Sequence, residues 1–227
     1  MKKIVYSALY LIAIALFPSC SKDDEESITN EYNAPDGEIE SVDLGLPSGT
    51  LWAAVNIGAV APEDNGTYYA WGEIDEKNRY DWSNYKYMAE GKSSGDDINK
   101  YTADDGLSRL STEDDVASVK WGGKWRIPTT TQWNELKKEC TWEWTSNGYT
   151  IWSNVNGNSI FLPAAGYCDG TSLKYSREYG SYWTQNRAGK IYEAQSYAFK
   201  SGAIVRTNNS RCYGNTIRAV CPKPKNK

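Results

Sequence analysis

The order of strand and helix signals is the feature that most constrains the fold of this chain. Short aromatic and β-branched runs, bounded by glycine, proline and asparagine, occupy both ends of the region between residues 40 and 221. The opening stretch "VDLGLPSGTLW", residues 42–52, predicts strand, turn and strand, and the last apolar strand is expected to end at Val220. Two helical segments lie between these ends. This order predicts an α+β fold with antiparallel sheet.

The second of the two helices carries the clearer local signal. A first helix is expected within residues 111–121, with acidic residues in its first turn and glycines after its end. The second helix begins at a capping box that runs from Thr129 to Gln132. Its spacing at i, i+3 and i+7 predicts one core face made of Trp133, Leu136 and Cys140.

The strands and loops are read from alternation and turn residues. "GTYYAWGE", residues 66–73, predicts an aromatic-rich strand, and Asn147-Gly148 is a hairpin signal. Residues 74–110 are polar and irregular, which predicts a long loop region where function often resides.

The first twenty residues predict an export signal that ends at a lipidation site. Lys2 and Lys3 precede an apolar run from Ile4 to Phe17, which is too short for a bilayer-spanning helix of about 20 residues. The run ends at Cys20, in a stretch that resembles a bacterial lipobox. We therefore expect a lipoprotein signal peptide over 1–19 and a lipid on Cys20; an ordinary secreted protein is the alternative.

An acidic stretch directly follows Cys20. "SKDDEE", residues 21–26, resembles the lipoprotein export signal of Bacteroidota, which directs proteins to the outer face of the outer membrane. Residues 20–39 have no periodic apolar face and are expected to be a lipidated acidic tether, with retention in the periplasm as the alternative location. The folded domain is expected over 40–222, followed by a basic tail over 223–227.

Composition excludes several classes of activity. The chain has 227 residues, no histidine and a net charge of −4. Without histidine, Ser-His-Asp, Cys-His and His-metal hydrolases are ruled out. No basic patch indicates nucleic acid binding, and the residues indicate no cofactor. The outer membrane, reached through the lipid anchor, is the partner that the sequence indicates.

Four cysteines follow the lipidation site. Their number in an exported chain suggests disulfides, with three possible connectivities for four residues. Cys168 and Cys212 both lie in polar, turn-like surroundings, and we expect these two to be bridged. Cys140, on the predicted helix face, is expected to be a free buried thiol. The absence of a CxxC pair argues against a zinc or redox site.

Six motifs together resemble one known family. They are "VDLGLPSGTLWAAVNIGA", "GTYYAWGE", "WGGKWRIPT", "GNSIFLPAAGY" followed by "DG", "YWT" and "IRAV", and they span about residues 40–221. In this order they look like the Fibrobacter succinogenes major paralogous domain family, which is abundant in surface lipoproteins of Bacteroidota. The resemblance implies a C-type lectin-like fold: the terminal strands pair, and two helices flank a twisted antiparallel sheet. It implies no reaction.

The residues favour binding over catalysis. An enzyme would depend on carboxylates, yet the adjacent acidic pairs, such as Asp96-Asp97 and Asp104-Asp105, are common in solvated loops and at helix starts. The formylglycine-generating enzymes share the implied fold, but their paired active-site cysteines cannot be placed here. The sequence lacks the calcium and sugar triplets of lectins of this fold, so we expect no metal, although the acidic loop "DDINKYTADDG" offers oxygen ligands.

The ligand site is expected in the segment 163–186. This segment corresponds, by the resemblance, to the long-loop region where lectin-like folds bind ligands. Its candidate contact residues combine flat aromatic faces with hydrogen-bonding groups, and they are Tyr167, Asp169, Arg177 and Trp183. The expected ligand is a glycan, or alternatively a protein partner in adhesion or assembly. Residues 74–110 are the next candidate region.

Overall fold

The computed structural model describes residues 39–224. The predictions that concern the signal peptide, Cys20 and the tether up to residue 38 fall outside this range, as do those for residues 225–227. The described part is a mixed α and β structure, with mostly antiparallel sheets and two short helices. The predicted α+β class is confirmed.

Eleven strands form three three-stranded sheets and one hairpin. The terminal sheet has the order β1-β2-β11, and the other sheets have the orders β3-β4-β5, β10-β9-β8 and β6-β7. The strand bounds are β1 Ser41–Asp43, β2 Thr50–Ala53, β3 Cys140–Thr145, β4 Gly148–Ser153, β5 Ser159–Pro163, β6 Tyr167–Asp169, β7 Ser172–Lys174, β8 Gly180–Arg187, β9 Glu193–Lys200, β10 Ala203–Ser210 and β11 Val220–Pro222.

The terminal sheet joins the two ends of the folded region. β2 pairs with β1 on one side, with Trp52 opposite Val42, and with β11 on the other, with Trp52 opposite Val220. Both pairings are antiparallel. The strand-turn-strand prediction for the opening stretch is therefore confirmed. The last strand, β11, begins at Val220, where the sequence predicts its end, and runs to Pro222.

The second helix follows its local signal closely, whereas the first begins later than predicted, because the acidic stretch Thr112–Asp114 forms a separate 3₁₀ turn before it. α1 spans Val116–Trp121, and Asp115 caps its N-terminus by accepting from the backbone N–H groups of Ala117 and Ser118. α2 spans Thr130–Glu139 and begins with both hydrogen bonds of the predicted capping box. Cys140 differs from its prediction because α2 ends one residue earlier, so that this buried thiol begins β3. Neither helix is long and apolar enough to cross a membrane.

The stretch 66–73 is not the strand that its aromatic pattern predicts. Only Tyr69 forms a bridge, with Asn215 opposite. The backbone N–H of Trp71 donates instead to the carbonyl of Arg211 at 2.8 Å. Tyr69 and Trp71 are both buried in one core cluster. Their apolar side chains therefore pack into the core from an irregular segment. A half-buried strand would have the same composition, which explains the difference from the prediction.

The buried side chains form two core clusters. The first includes Tyr69, Trp71 and Trp183, and the second includes Trp52, Trp133 and Tyr182. In the second cluster α2 contributes Trp133, which is fully buried, packs edge-on against Trp52 at 4.9 Å between ring centroids and stacks on Tyr197 at 5.0 Å. Such aromatic contacts add about 0.5–1.5 kcal/mol to the effect of the buried area. One tryptophan thus joins α2, the terminal sheet and β9.

Arg211 and Arg218 are fully buried, and neither forms an ion pair with a carboxylate of residues 39–224. Arg211 lies 4.8 Å from the ring centroid of Trp71, and its guanidinium donates to the carbonyl oxygens of Lys100, Tyr101 and Glu193. Because backbone carbonyls accept its N–H groups, the charge is buried with its hydrogen bonds satisfied. Arg211 therefore fixes the end of the long 74–110 loop against the body of the domain.

The buried carboxylate of Asp114 also holds the 74–110 loop in place. Asp114 is 2% exposed, and it accepts from Lys86 Nζ at 2.9 Å, Lys100 Nζ at 2.6 Å and Tyr101 Oη at 2.6 Å. Although burial alone would raise it, the bonds to these cations and hydroxyls hold the pKa of Asp114 well below its usual range. The charged form is therefore the one that holds the loop.

Replacing Asp114 with asparagine is expected to lower the free energy of unfolding by about 2–3 kcal/mol at pH 7. The isosteric amide keeps the shape but removes the charge that Lys86 and Lys100 approach. Because the folded pKa lies below the unfolded value of 3.8, the advantage of wild type is present above about pH 4 and falls away as the pH drops further. Urea titrations at pH 7 and pH 3 would measure it; an equal difference at both would refute the electrostatic explanation.

The predicted bridge between Cys168 and Cys212 is wrong. All four cysteines of the described residues are free thiols. Cys168 lies opposite Gly214 in an antiparallel bridge, which puts Cys212 two residues away from the pairing position. Diagonal neighbours of this kind lie about 7–8 Å apart, too far for the geometry of a disulfide. Burial raises the pKa of Cys168 to about 11 and that of Cys212 to about 12.

Candidate functional site

An open groove of about 570 Å³ lies between the segment after β5 and the sheet β10-β9-β8. We call it the tyrosine groove. One side is formed by Tyr167, Tyr175, Glu178 and Tyr179, and the other by Ala198, Phe199 and Lys200 of β9 with Ala203, Val205 and Asn209 of β10. Its volume is within the range of small-molecule sites in proteins.

Small side chains make the floor of the tyrosine groove. Ala198 lies opposite Val205 in the register of β9 and β10, and opposite Ser181 in the register of β8 and β9. Residues directly opposite one another share a face of the sheet, so these three side chains form one row across it. The opposite face carries Tyr182 and Tyr197, which belong to the second core cluster. Larger side chains in the row would fill the space above the sheet.

Three tyrosines form the wall of the groove. The ring of Tyr167 lies 6.0 Å from that of Tyr175 and 6.3 Å from that of Tyr179, measured between centroids. Tyr213 stacks on Tyr167 at 5.5 Å with 27° between the planes. Tyr175 is the most accessible, with 60% of its surface exposed. Because burial raises the pKa values of Tyr167 and Tyr179, their hydroxyls stay protonated and neutral at physiological pH.

Close backbone contacts hold the wall in place. The N–H of Gly166 donates to the carbonyl of Tyr179 at 2.6 Å, and that of Arg177 donates to the carbonyl of Ala164 at 2.6 Å. Gly166 has a φ of 70°, and a Cβ there would lie 2.1 Å from the carbonyl oxygen of Lys174. Only glycine fits at this point, where the chain leaves β5 and begins the wall.

The wall contains two residues in a conformation that side chains disfavour. Tyr175 and Arg177 have φ values of 52° and 71°, within one turn of chain. A left-handed backbone costs roughly 1–2 kcal/mol per residue that is not glycine. Such strain often occurs where the surroundings hold a side chain in a particular position. Here it accompanies the exposed ring of Tyr175 at the lip of the groove.

Polar groups lie at one end of the floor and buried beneath it. Asn209 Nδ2 donates to Ser181 Oγ at 3.0 Å, across the row that Ala198 occupies. Ser196, on the same face of β9, is fully buried, and its hydroxyl has no hydrogen-bond partner among the described residues. Lys200 and Glu178 add one positive and one negative charge to the lining. The groove thus combines aromatic faces with a few hydrogen-bonding groups.

The four predicted contact residues do not form one surface. Tyr167 lines the groove. Asp169 lies two residues further along β6, on the same face of that strand but outside the lining. Arg177 is exposed on the turn between the wall tyrosines. Trp183 is only 1% exposed, and its indole N–H donates to the carbonyl of Tyr69 at 2.7 Å, which makes it a core residue.

A second, more polar cavity lies on the other side of the β6-β7 hairpin. It has a volume of about 320 Å³, and its lining includes Thr67, Lys77, Tyr80, Cys168 and Leu173. Lys77 is ion-paired with Glu73 at 2.8 Å. Within residues 39–224, no group of three or more cysteine, aspartate or glutamate side chains is arranged to hold a metal ion. The acidic loop contains Asp105, whose carboxylate instead caps the backbone N–H groups of Thr102 and Leu107.

No protein family model, no curated protein and no solved structure matches this chain.

Proposed function

We propose that this chain is a lipid-anchored binding protein of the bacterial cell surface, without catalytic activity, whose folded domain recognises a glycan through the tyrosine groove. The proposal includes lipidation at Cys20, attachment to the outer membrane and exposure directed by the acidic stretch that follows. It also includes membership of the Fibrobacter succinogenes major paralogous domain family, with its C-type lectin-like fold.

The tyrosine wall above a floor of small residues is the observation that carries the proposal. Sugar rings present flat C–H surfaces that pack on aromatic faces, and their hydroxyls need hydrogen-bonding partners at the rim. Tyr175 offers an exposed ring, while Tyr167 and Tyr179 offer neutral hydroxyls. Asn209 supplies an amide group at the floor, where it also donates to the buried hydroxyl of Ser181. Apolar lining with a few convergent polar groups is typical of ligand sites.

The charges of the groove favour binding without hydrolysis. A glycosidase needs two carboxyl groups about 5–9.5 Å apart on opposite sides of the scissile bond. Among residues 39–224, Glu178 is the one carboxylate in the groove lining. Glu178 is exposed at the wall, and no second acid among the described residues lines the opposite side of the groove to act with it. A groove of this composition supports recognition by stacking and hydrogen bonds.

The pairing of the chain ends supports the proposed fold family. β2, near the start of the described region, pairs with β11, near its end. Two helices lie between them in the chain, and the sheets are antiparallel. This arrangement is what the resemblance implies for the C-type lectin-like fold, which is why we include that fold in the proposal.

A glycan array probed with the full chain would test the proposal. We expect wild type to bind a subset of glycans and the variant Tyr175→Ala to lose at least about tenfold in affinity for them, a change of about 1.4 kcal/mol. Tyr175→Phe keeps the ring and should retain binding, which would separate stacking from the loss of the hydroxyl.

Leu173→Ala is the matched control. Leu173 is 47% exposed, lies close in the chain and lines the neighbouring polar cavity instead of the groove. Loss of binding in Leu173→Ala with full binding in Tyr175→Ala would place the ligand in that other cavity. Binding to no glycan at all would argue against glycan recognition and favour a protein ligand.

A protein partner is the second candidate, and one observation favours it. β10 is an eight-residue strand at the edge of its sheet, and it pairs with β9 alone. An open edge can accept an extended peptide as an additional strand. Lys137 already donates to the carbonyl of Ile204 on this strand at 2.7 Å. Peptide addition would therefore begin beyond Ile204, toward Asn208.

A further inference from the structure

A third cavity differs from the tyrosine groove in its charge. It has a volume of about 440 Å³ and lies where the first turn of α2, the start of β2 and the end of β11 meet. Among residues 39–224, its charged lining residues are Lys124, Arg126 and Lys223, and none of the residues that line it is acidic. In a chain with a net charge of −4 this is a local reversal of sign. We call it the basic cavity.

The side chain of Arg126 has N–H donors that hydrogen bonds to the described residues do not use. It is half-buried, and its side-chain hydrogen bonds, to Ser118 Oγ and the carbonyl of Trp125, both come from Nη1. A guanidinium has five N–H donors, so Nε and Nη2 retain donors for a further acceptor. None of the ion pairs within residues 39–224 involves Arg126.

Three carboxylates contact residues of the cavity lining, and each already accepts hydrogen bonds. Glu135 accepts from the backbone N–H and the hydroxyl of Ser48, at 2.8 and 2.6 Å. Asp43 is paired with Lys223 at 2.7 Å. Asp115, which is buried and does not line the cavity, accepts from Gln185 and from three backbone N–H groups. Burial raises the pKa of Asp115, and the nearby charge of Arg126 partly offsets this effect. Within residues 39–224, none of these three carboxylates forms an ion pair with Arg126.

The remaining lining suits a hydroxylated ligand. Hydroxyl and amide groups contribute much of it, from Ser48, Thr50, Thr129, Gln132 and Gln185. The N-terminus of α2 adds a positive field, because Thr129 is its N-cap and Gln132 lies in its first turn. The planar fork of an arginine matches a carboxylate in two parallel hydrogen bonds. A carboxylate alone would leave most of 440 Å³ unfilled.

We propose that the basic cavity binds a sugar acid, with its carboxylate on Arg126 and its hydroxyls toward Ser48, Thr50 and Gln132. This site is separate from the tyrosine groove and does not depend on the function proposed for it. A hexuronate has the required charge and hydroxyls. A neutral hexose lacks the carboxylate and leaves the donors of Arg126 unpaired, which costs affinity.

Ligand-observed NMR titrations of the full chain with glucuronate, glucose and inorganic phosphate would test this proposal. We expect glucuronate to bind, glucose to bind at least tenfold more weakly, and raised salt to weaken glucuronate because the contact is charged. Arg126→Gln should weaken glucuronate at least tenfold, whereas Arg206→Gln, at an exposed position of β10, should change nothing.

Two further variants keep the test decisive if Arg126→Gln folds poorly. Lys223→Gln, in the exposed chain after β11, should weaken glucuronate severalfold, and Tyr175→Ala, in the other groove, should leave it unchanged. Equal binding of glucose and glucuronate, or full binding by both basic variants, would overturn the proposal. Binding of phosphate without glucuronate would also overturn it, because the ligand would then be a simple oxyanion.

Discussion

Replacing Arg218 with methionine is expected to lower the free energy of unfolding by at least about 3 kcal/mol, because it leaves several buried acceptors without a donor. Arg218 is fully buried. Its guanidinium donates to the carbonyl oxygens of Ala53, Ala54 and Phe161, at 2.8–3.2 Å, and to Asn56 Oδ1 at 2.9 Å. Burial lowers its pKa to about 10, so that the group stays charged at neutral pH.

The position of Arg218 explains why the expected effect is large. It connects the end of β2 to β5, and Asn56 extends the network by donating to the hydroxyl of Tyr182 at 3.2 Å. Tyr182 in turn donates to the carbonyl of Pro163, directly before the segment that forms the groove wall. Loss of this arginine would therefore loosen both the terminal sheet and the support of the groove.

Urea unfolding followed by tryptophan fluorescence would measure the effect. Arg206→Met is the matched control, because Arg206 is exposed on β10 and its replacement should change the free energy by less than about 0.5 kcal/mol. Arg218→Lys should recover little stability, since an ammonium group cannot reach the same set of carbonyls. A loss below about 1 kcal/mol in Arg218→Met would refute this account of the network.

Replacing Trp133 with alanine is expected to cost about 3–5 kcal/mol, the usual range for truncating a buried aromatic side chain. The ring is fully buried and contacts Trp52, Tyr182 and Tyr197. Its removal would leave a cavity between α2 and two sheets. Because the partners are themselves large rings held by other contacts, they can fill that cavity only in part.

Thermal and urea unfolding of Trp133→Ala should be compared with those of Trp152→Ala. Trp152 is 42% exposed on β4, so its truncation should cost well under half as much. Trp133→Phe should restore part of the loss by retaining a ring. Similar losses for Trp133→Ala and Trp152→Ala would show that the contact between α2 and the sheets does not dominate the second core cluster.

Features encoded by neighbouring residues could be predicted from the sequence. The capping box at Thr129 depends only on residues within one turn of helix, and the structure contains it. The hairpin at Asn147-Gly148 was also predicted, although the two loop residues are Ser146 and Asn147, one position earlier than the expected pair. Local chemistry specifies that these elements form, whereas the exact register, with Thr145 opposite Gly148, is visible only in the structure.

Features that depend on long-range register could not be predicted in the same way. The cysteine pairing failed because Gly214, not Cys212, lies opposite Cys168. Trp183 looked suitable as a contact residue, but the alternation of β8 directs its ring into the core.

The residues of the tyrosine groove are also brought together by contacts between distant parts of the chain. Tyr167, Tyr175 and Tyr179 all lie in the predicted ligand segment. The sequence does not indicate that the latter two line one groove with Tyr167, because left-handed turns at Tyr175 and Arg177 set their positions. The floor residues Ala198 and Val205 belong to a different hairpin, and their small size is informative only once the sheet brings them beneath the wall. An alanine in a strand gives no indication in sequence of what lies above it.

Hydrogen–deuterium exchange of the full chain with an array-selected glycan tests whether the proposed ligand binds in the tyrosine groove. We predict slower exchange on glycan binding in residues 166–179 and in β9 and β10, which together enclose the tyrosine groove. The control is Tyr175→Ala at the same glycan concentration, which should show little protection. Protection confined to residues 74–110, or protection of the groove that persists in Tyr175→Ala, would contradict the account.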